Sequence, residues 1–146
     1  MHASTVLDSK VYVICGRDNE FDFLDSVEVL DIVELERSGV ALNHWSIFYI
    51  RGLIPRQSPA VCSISTTHIL VMGGNNDEDI ADAPLIDTRV HMMDSLMRLD
   101  QAFYCTSNSP VMAEGCIYSL VLMEQKPAII KYSLNLKQVK VVKKLD

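Results

Sequence analysis

The sequence predicts an all-β chain, one domain made of three consecutive four-stranded antiparallel units. Three observations predict it. Three apolar, strand-like segments recur along the chain, a shorter strand-like stretch precedes each of them, and two more follow each. A length of 146 residues suits one domain, and a composition of 49% hydrophobic and 22% charged residues is that of a globular chain with a core to bury.

The recurring segments are Lys10-Val11-Tyr12-Val13-Ile14-Cys15-Gly16, His68-Ile69-Leu70-Val71-Met72-Gly73-Gly74 and Cys116-Ile117-Tyr118-Ser119-Leu120-Val121-Leu122. They start 58 and then 48 residues apart, so the unit is about 50 residues once a longer loop is allowed in the first. The preceding strands are His2–Leu7, Pro59–Ile64 and Pro110–Ala113, where Ser58-Pro59-Ala60-Val61 and Ser109-Pro110-Val111-Met112 repeat one element. Third strands are expected at Val27–Asp31, Val90–Asp94 and Ile129–Ser133. Fourth strands are expected at Trp45–Ile50, near Met97–Leu99, and at Val139–Lys143. The units are 1–50, 51–99 and 100–146. Four short strands per unit with turn residues between them describe a meander sheet repeated radially, and a single such sheet leaves faces that only a neighbour can cover. The competing architecture is a β-sandwich of about twelve short strands.

Gly73-Gly74 closes an apolar strand, and Trp45 follows Val27-Glu28-Val29-Leu30-Asp31 and precedes Ile54-Pro55-Arg56. On these residues the chain resembles the kelch-repeat β-propeller family along its whole length, with Gly16 standing where the second glycine of the doublet falls in unit one. Cys15 replaces the first glycine there, and Val121-Leu122 replaces the doublet in unit three. The resemblance implies a partial β-propeller of three blades. It implies that the glycines turn the chain where a side chain would clash, and that Trp45 is a buried aromatic packing between blades.

The resemblance also implies that loops between strands two and three, and between blades, bind a protein partner, which makes the chain an interaction scaffold and not an enzyme. The candidate contact residues are Arg17, Asp18, Phe21 and Phe23 in the first such loop, and Arg51 and Arg56 between the first two units. In unit two they are Asn75, Asp77, Glu78 and Asp79. Phe21 and Phe23 among acids are unusual for a solvated loop, and the two arginines suit carboxylate recognition. The acidic run lacks the alternating ligands, central glycine and closing Glu of a calcium loop. The segment Val33–Asn43 alternates apolar and acidic residues and reads as a lengthened hairpin.

Other chemistry is not signalled. His2, His44, His68 and His91 show no metal-ligand spacing, and no P-loop, Gly-x-Ser-x-Gly or dinucleotide fingerprint occurs. No cofactor or metal is expected; the alternative is a fragment of a kelch-like metal-dependent oxidase, which needs clustered ligands. Four scattered cysteines, with no C-x-x-C, read as buried reduced thiols of a cytoplasmic protein. No apolar run is long enough to span a bilayer, so no membrane partner is expected. Net charge is −6, unevenly spread: residues 1–120 carry 7 Lys+Arg against 17 Asp+Glu, and residues 121–146 carry 6 against 2. The acidic bulk argues against nucleic acid. Three blades are half of a common ring, so further blades or a second copy are expected to complete six. Pairing of the basic third unit with the acidic first would make a homodimer.

Overall fold

The computed structural model describes residues 2–39, 45–105 and 110–145, and it is all-β with one short helix. His44 and Ser109, both singled out above, lie outside the described residues, as does the rest of 40–44 and 106–109. The first antiparallel sheet runs β1 (Ala3–Leu7), β2 (Lys10–Arg17), β3 (Phe23–Asp31), β4 (Trp45–Tyr49), with a helix α1 (Ile32–Ser38) between the last two. The second is β5 (Ala60–Ser63), β6 (His68–Met72), β7 (Asp82–Asp87), β8 (Met92–Arg98). In the third, β9 (Tyr104–Cys105) and β10 (Val111–Ala113) both pair with β11 (Cys116–Met123), followed by β12 (Lys126–Ser133) and β13 (Gln138–Lys144). Its first strand is thus in two pieces, of which the sequence showed only the second.

Two expected elements are corrected. The stretch after β3 is helical because its caps outweigh the alternation: the Asp31 carboxylate accepts from the Glu34 N–H, and Gly39 closes the helix in the left-handed region at φ 70°. The third strand of unit two is β7, not Val90–Asp94, whose residues fall in the following turn and in the start of β8. Pro84 concealed β7, but the ladder with β6 runs only from His68↔Asp87 to Leu70↔Leu85, so it asks no N–H of Pro84.

The sheets stack face to face around two cores. Tyr12, Ile14, Val27 and Val29 of the first sheet meet Val61, Ile69, Val71 and Ile86 of the second. The opposite face of the second sheet, with Ala60, Cys62, Leu70 and Met72, meets Ile117, Val121, Ile130 and Tyr132 of the third. The central sheet is buried on both faces, which is why β6 reads as an unbroken apolar run instead of an alternation. Trp45, expected to be buried, is 40% exposed: in register with Leu30 it points away from the second sheet. Phe48, on the other face of β4, makes the inter-sheet aromatic contact, stacking on the His91 ring at 3.7 Å between centroids.

The glycine doublets mark where the sheets are tied. Gly73 (φ 61°) and Gly74 (φ 99°) leave the strand conformation, and a Cβ on Gly73 would stand 2.3 Å from the Phe103 carbonyl oxygen. Cys15 (φ 57°) and Gly16 (φ 124°) turn the same way, so Cys15 keeps the backbone of the glycine it replaces. Gly74 N–H donates to Phe103 O at 2.7 Å, and Gly16 N–H donates to Arg56 O at 2.7 Å. Arg56 is wholly buried and is not the surface contact expected of it. Its backbone N–H donates to Leu24 O (3.1 Å), its Nε to Ile54 O (2.9 Å) and its Nη1 to Gly73 O (3.0 Å), while both Nη atoms bond the Asp82 carboxylate. A guanidinium in this position must be fully paired, because desolvating an unpaired charge is too costly. Asp82→Ala is expected to lower the unfolding free energy by about 3–5 kcal/mol, whereas Arg56→Met with Asp82→Leu together costs less than that single change. Denaturant titration of both variants checks this, and a near-neutral Asp82→Ala contradicts it.

Candidate functional site

Antiparallel order sends the β2–β3 loop, the first inter-sheet crossing and the β6–β7 loop to one end of the stack. There they are joined by hydrogen bonds. Besides the Gly16–Arg56 contact, Gln57 and Asn75 exchange both backbone bonds (2.9 and 3.0 Å), and the Gln57 Nε2 donates to Asn75 Oδ1 (2.9 Å). Asn75 therefore spends its polar groups on positioning the loops, and it is partly buried.

The first loop is built around Asp18. One carboxylate oxygen accepts from the N–H groups of Glu20 and Asp22, each at 2.9 Å, and the Asp18 carbonyl accepts from Phe21 N–H at 3.3 Å. Asp side chains close turns in this way. The result holds Phe21 at φ 68° with 74% of its surface in solvent. Phe23 starts β3 instead of lying in the loop, and the Arg17 guanidinium carbon lies 4.1 Å from its ring centroid. That stacking occupies both residues, so of the four candidates here Phe21 alone presents a bare apolar surface.

In the second loop Asp77, Glu78 and Asp79 are exposed, while Ile80 is buried beneath them and donates its N–H to Gly74 O at 2.8 Å. Asp77 takes φ 80°, and Asn76 N–H donates to Glu78 O at 3.0 Å. Arg51 is exposed as expected, but its turn lies against the second sheet's outer strand, where Gly52 faces the Met93 side chain. The arrangement groups Asp18, Phe21 and the 77–79 acids at one end, leaves Arg51 at the rim, and buries Arg56. Exposed Glu20, Asp22 and Asp100 add to the acidity. The sequence reading missed Asp100, whose strand-end position is evident only once β8 is placed.

Among the described residues no three His, Cys, Asp or Glu side chains are grouped to hold a metal ion. His68 bonds Thr67 Oγ1 at 2.9 Å and His91 stacks on Phe48, so each is engaged structurally and apart from the other. The four cysteines are free and buried. Burial pushes the Cys15 thiol up to about 12, with the Arg56 charge opposing only in part, and burial also raises Cys62 and Cys105. At the far end of the stack the Arg89 guanidinium, 2.5 Å from Asp87, holds that carboxyl well below the usual carboxylate range. No helix among the described residues is long and apolar enough to cross a membrane. Comparison with models of known families and with curated proteins returned no match.

Thiol labelling reads the Cys15 environment directly. At neutral pH the native chain is expected to react with a thiol reagent far more slowly than the unfolded chain, because thiolate is the reactive form. Stability contributed by the protonated Cys15 is fully present below about pH 9 and is lost as pH rises toward about 12. A Cys15→Ala variant should show a shallower alkaline decline, and fast native labelling of Cys15 contradicts the assignment.

Proposed function

We propose that the chain is a three-bladed portion of a kelch-type propeller and acts as a protein-interaction scaffold without a reaction of its own. Its partner is a protein segment that carries basic and apolar side chains, held by the β2–β3 and β6–β7 loops. The observation that carries this reading is Phe21, an aromatic side chain kept in solvent by a loop that is closed on Asp18. Keeping it exposed gains nothing for the isolated fold, while aromatic anchors at the centre of an interface carry much of its binding energy. Asp77, Glu78 and Asp79 stand ready as the rim that selects a basic neighbour, and loops on a rigid sheet scaffold are where binding concentrates. The oxidase alternative requires clustered His, Tyr and Cys ligands, whereas among the described residues Tyr12 is packed in the first core and no three His, Cys, Asp or Glu side chains are grouped.

Selection of binders from a random displayed-peptide library tests the proposal. Enriched sequences should combine Lys or Arg with a large apolar residue, and their binding should weaken with added salt. Phe21→Ser should weaken their binding at least about tenfold, a change of roughly 1.4 kcal/mol, with the β-sheet circular dichroism unchanged. Enrichment of acidic peptides, or binders indifferent to both Phe21 and the 77–79 acids, refutes it.

A further inference from the structure

Each sheet of the stack has a leading face, turned toward the following sheet, and a trailing face. Tyr12, Leu70 and Tyr118 hold the same step of the second strand, and the first two point forward into the two cores. Tyr118 points the same way from the last sheet, where no described element covers it. Val11, Ile69 and Ile117 hold the preceding step and point backward. Ile69 and Ile117 are fully buried, and Val11 is only partly buried on the first sheet. The first sheet's trailing face continues this apolar surface across Val6, Leu30 and Trp45 in one cross-strand row, with Ile47 and Tyr49 58% and 72% exposed beside it. The third sheet's leading face offers Tyr118, Leu120, Leu122 and Ile129.

Each free face also carries charge where the interior faces are apolar: Glu28 on the first sheet, and Lys131 on the third with Lys140 and Lys143 of the edge strand on the same face. Glu28 is paired in register with Val13 on the trailing face, and the matching position of the third sheet is Ile130, fully buried. Lys131 is paired with Tyr118 on the leading face, and the matching positions of the first two sheets are Val29 and Leu85. Among the described residues neither Glu28 nor Lys131 has an ion-pair partner.

From these two faces we infer that two copies of the chain pair head to tail, the third sheet's leading face of each on the first sheet's trailing face of the other, with Lys131 of one copy meeting Glu28 of the partner subunit. Leading-on-trailing is the contact the stack already makes twice, so the pairing repeats a packing these side chains fit. Two such contacts close a six-sheet ring with two-fold symmetry and bury Trp45, Ile47 and Tyr49. Apolar burial supplies the affinity, and the opposite charges reject leading-on-leading and trailing-on-trailing contacts. This inference concerns the sheet faces and goes beyond the loop-binding proposal, so either can fail alone.

Sedimentation equilibrium of the full chain at micromolar concentration should give a dimer of a 16.4 kDa protomer. Glu28→Lys alone and Lys131→Glu alone should each raise the dissociation constant at least about tenfold, each variant keeping its β-sheet circular dichroism. An equimolar mixture of the two variants should recover the parent constant, because each hybrid contact then opposes unlike charges. The double variant in one chain should recover it as well, which covers the case of one single variant that does not fold. A monomer, a series of larger open assemblies, or a weakened dimer that neither mixing nor the double change restores overturns the inference.

Discussion

The buried Arg56–Asp82 pair is the constraint on which the rest of the stack depends. A guanidinium has five N–H donors in a fixed fork and no way to lose its charge, so burying it fixes everything around it. Here the acceptors come from Ile54, Gly73 and both oxygens of Asp82, while the Arg56 backbone serves Gly16 and Leu24. The first sheet's doublet and the second sheet's doublet are therefore held by one residue. Apolar faces tolerate small slides at little cost, but this set of bonds is complete in a single relative placement of the two sheets. Such a pair contributes little to net stability compared with apolar replacements, and its value lies in rejecting the other placements.

That placement is what gives the loops a fixed relation. The seam continues from Arg56 through Gln57 to Asn75 and from Gly74 to Phe103, so the Asp18 loop and the 77–79 loop are mounted on one hydrogen-bonded floor. Phe21 and the acids gain their proximity from buried polar residues, not from contact with one another. The same seam explains why Arg56 and Asn75 have the composition of binding residues yet do other work: polar groups at sheet crossings must find partners inside the protein.

The three antiparallel sheets were legible because strand periodicity and the Gly73-Gly74 turn are local properties. What escaped were features decided by competition or by distance. Helix α1 was hidden because Val33 to Glu36 alternates like a strand, whereas the deciding signals were the Asp31 cap and Gly39. Strand β7 was hidden because Pro84 and the acids before it look like a loop, and only its limited ladder with β6 makes a proline acceptable there. Arg56 and Trp45 were exchanged in role for a different reason. Which side of a strand faces a neighbour is a matter of register and stacking order, and Trp45 sits one step off the face that carries Phe48. At the loop end, exposure of Phe21 was legible from its acidic surroundings, but the stacking of Arg17 on Phe23 was not, since it depends on where β3 begins.

Charge on the third sheet separates into two kinds once the strands are placed. Lys140, Lys143 and Lys144 are exposed on β13, the outermost strand, where lysines discourage stray strand pairing. Edge protection accounts for their place on that strand, although Lys140 and Lys143 also stand on the free leading face, in register with Lys131 and Ile129. It does not account for Lys131, which sits on β12 with ladders on both sides and has no edge to protect. Nor does it reach Glu28, equally interior between β2 and β4. A charge in the middle of a sheet face weakens that face as a core and also as an indiscriminate sticky surface. Two faces that carry charges of opposite sign lose self-affinity for like faces and keep it for each other. The sequence asymmetry between an acidic body and a basic end thus shows on the free faces as Glu28 on one and Lys131, Lys140 and Lys143 on the other, and in the pairing inferred above these residues set the polarity of stacking.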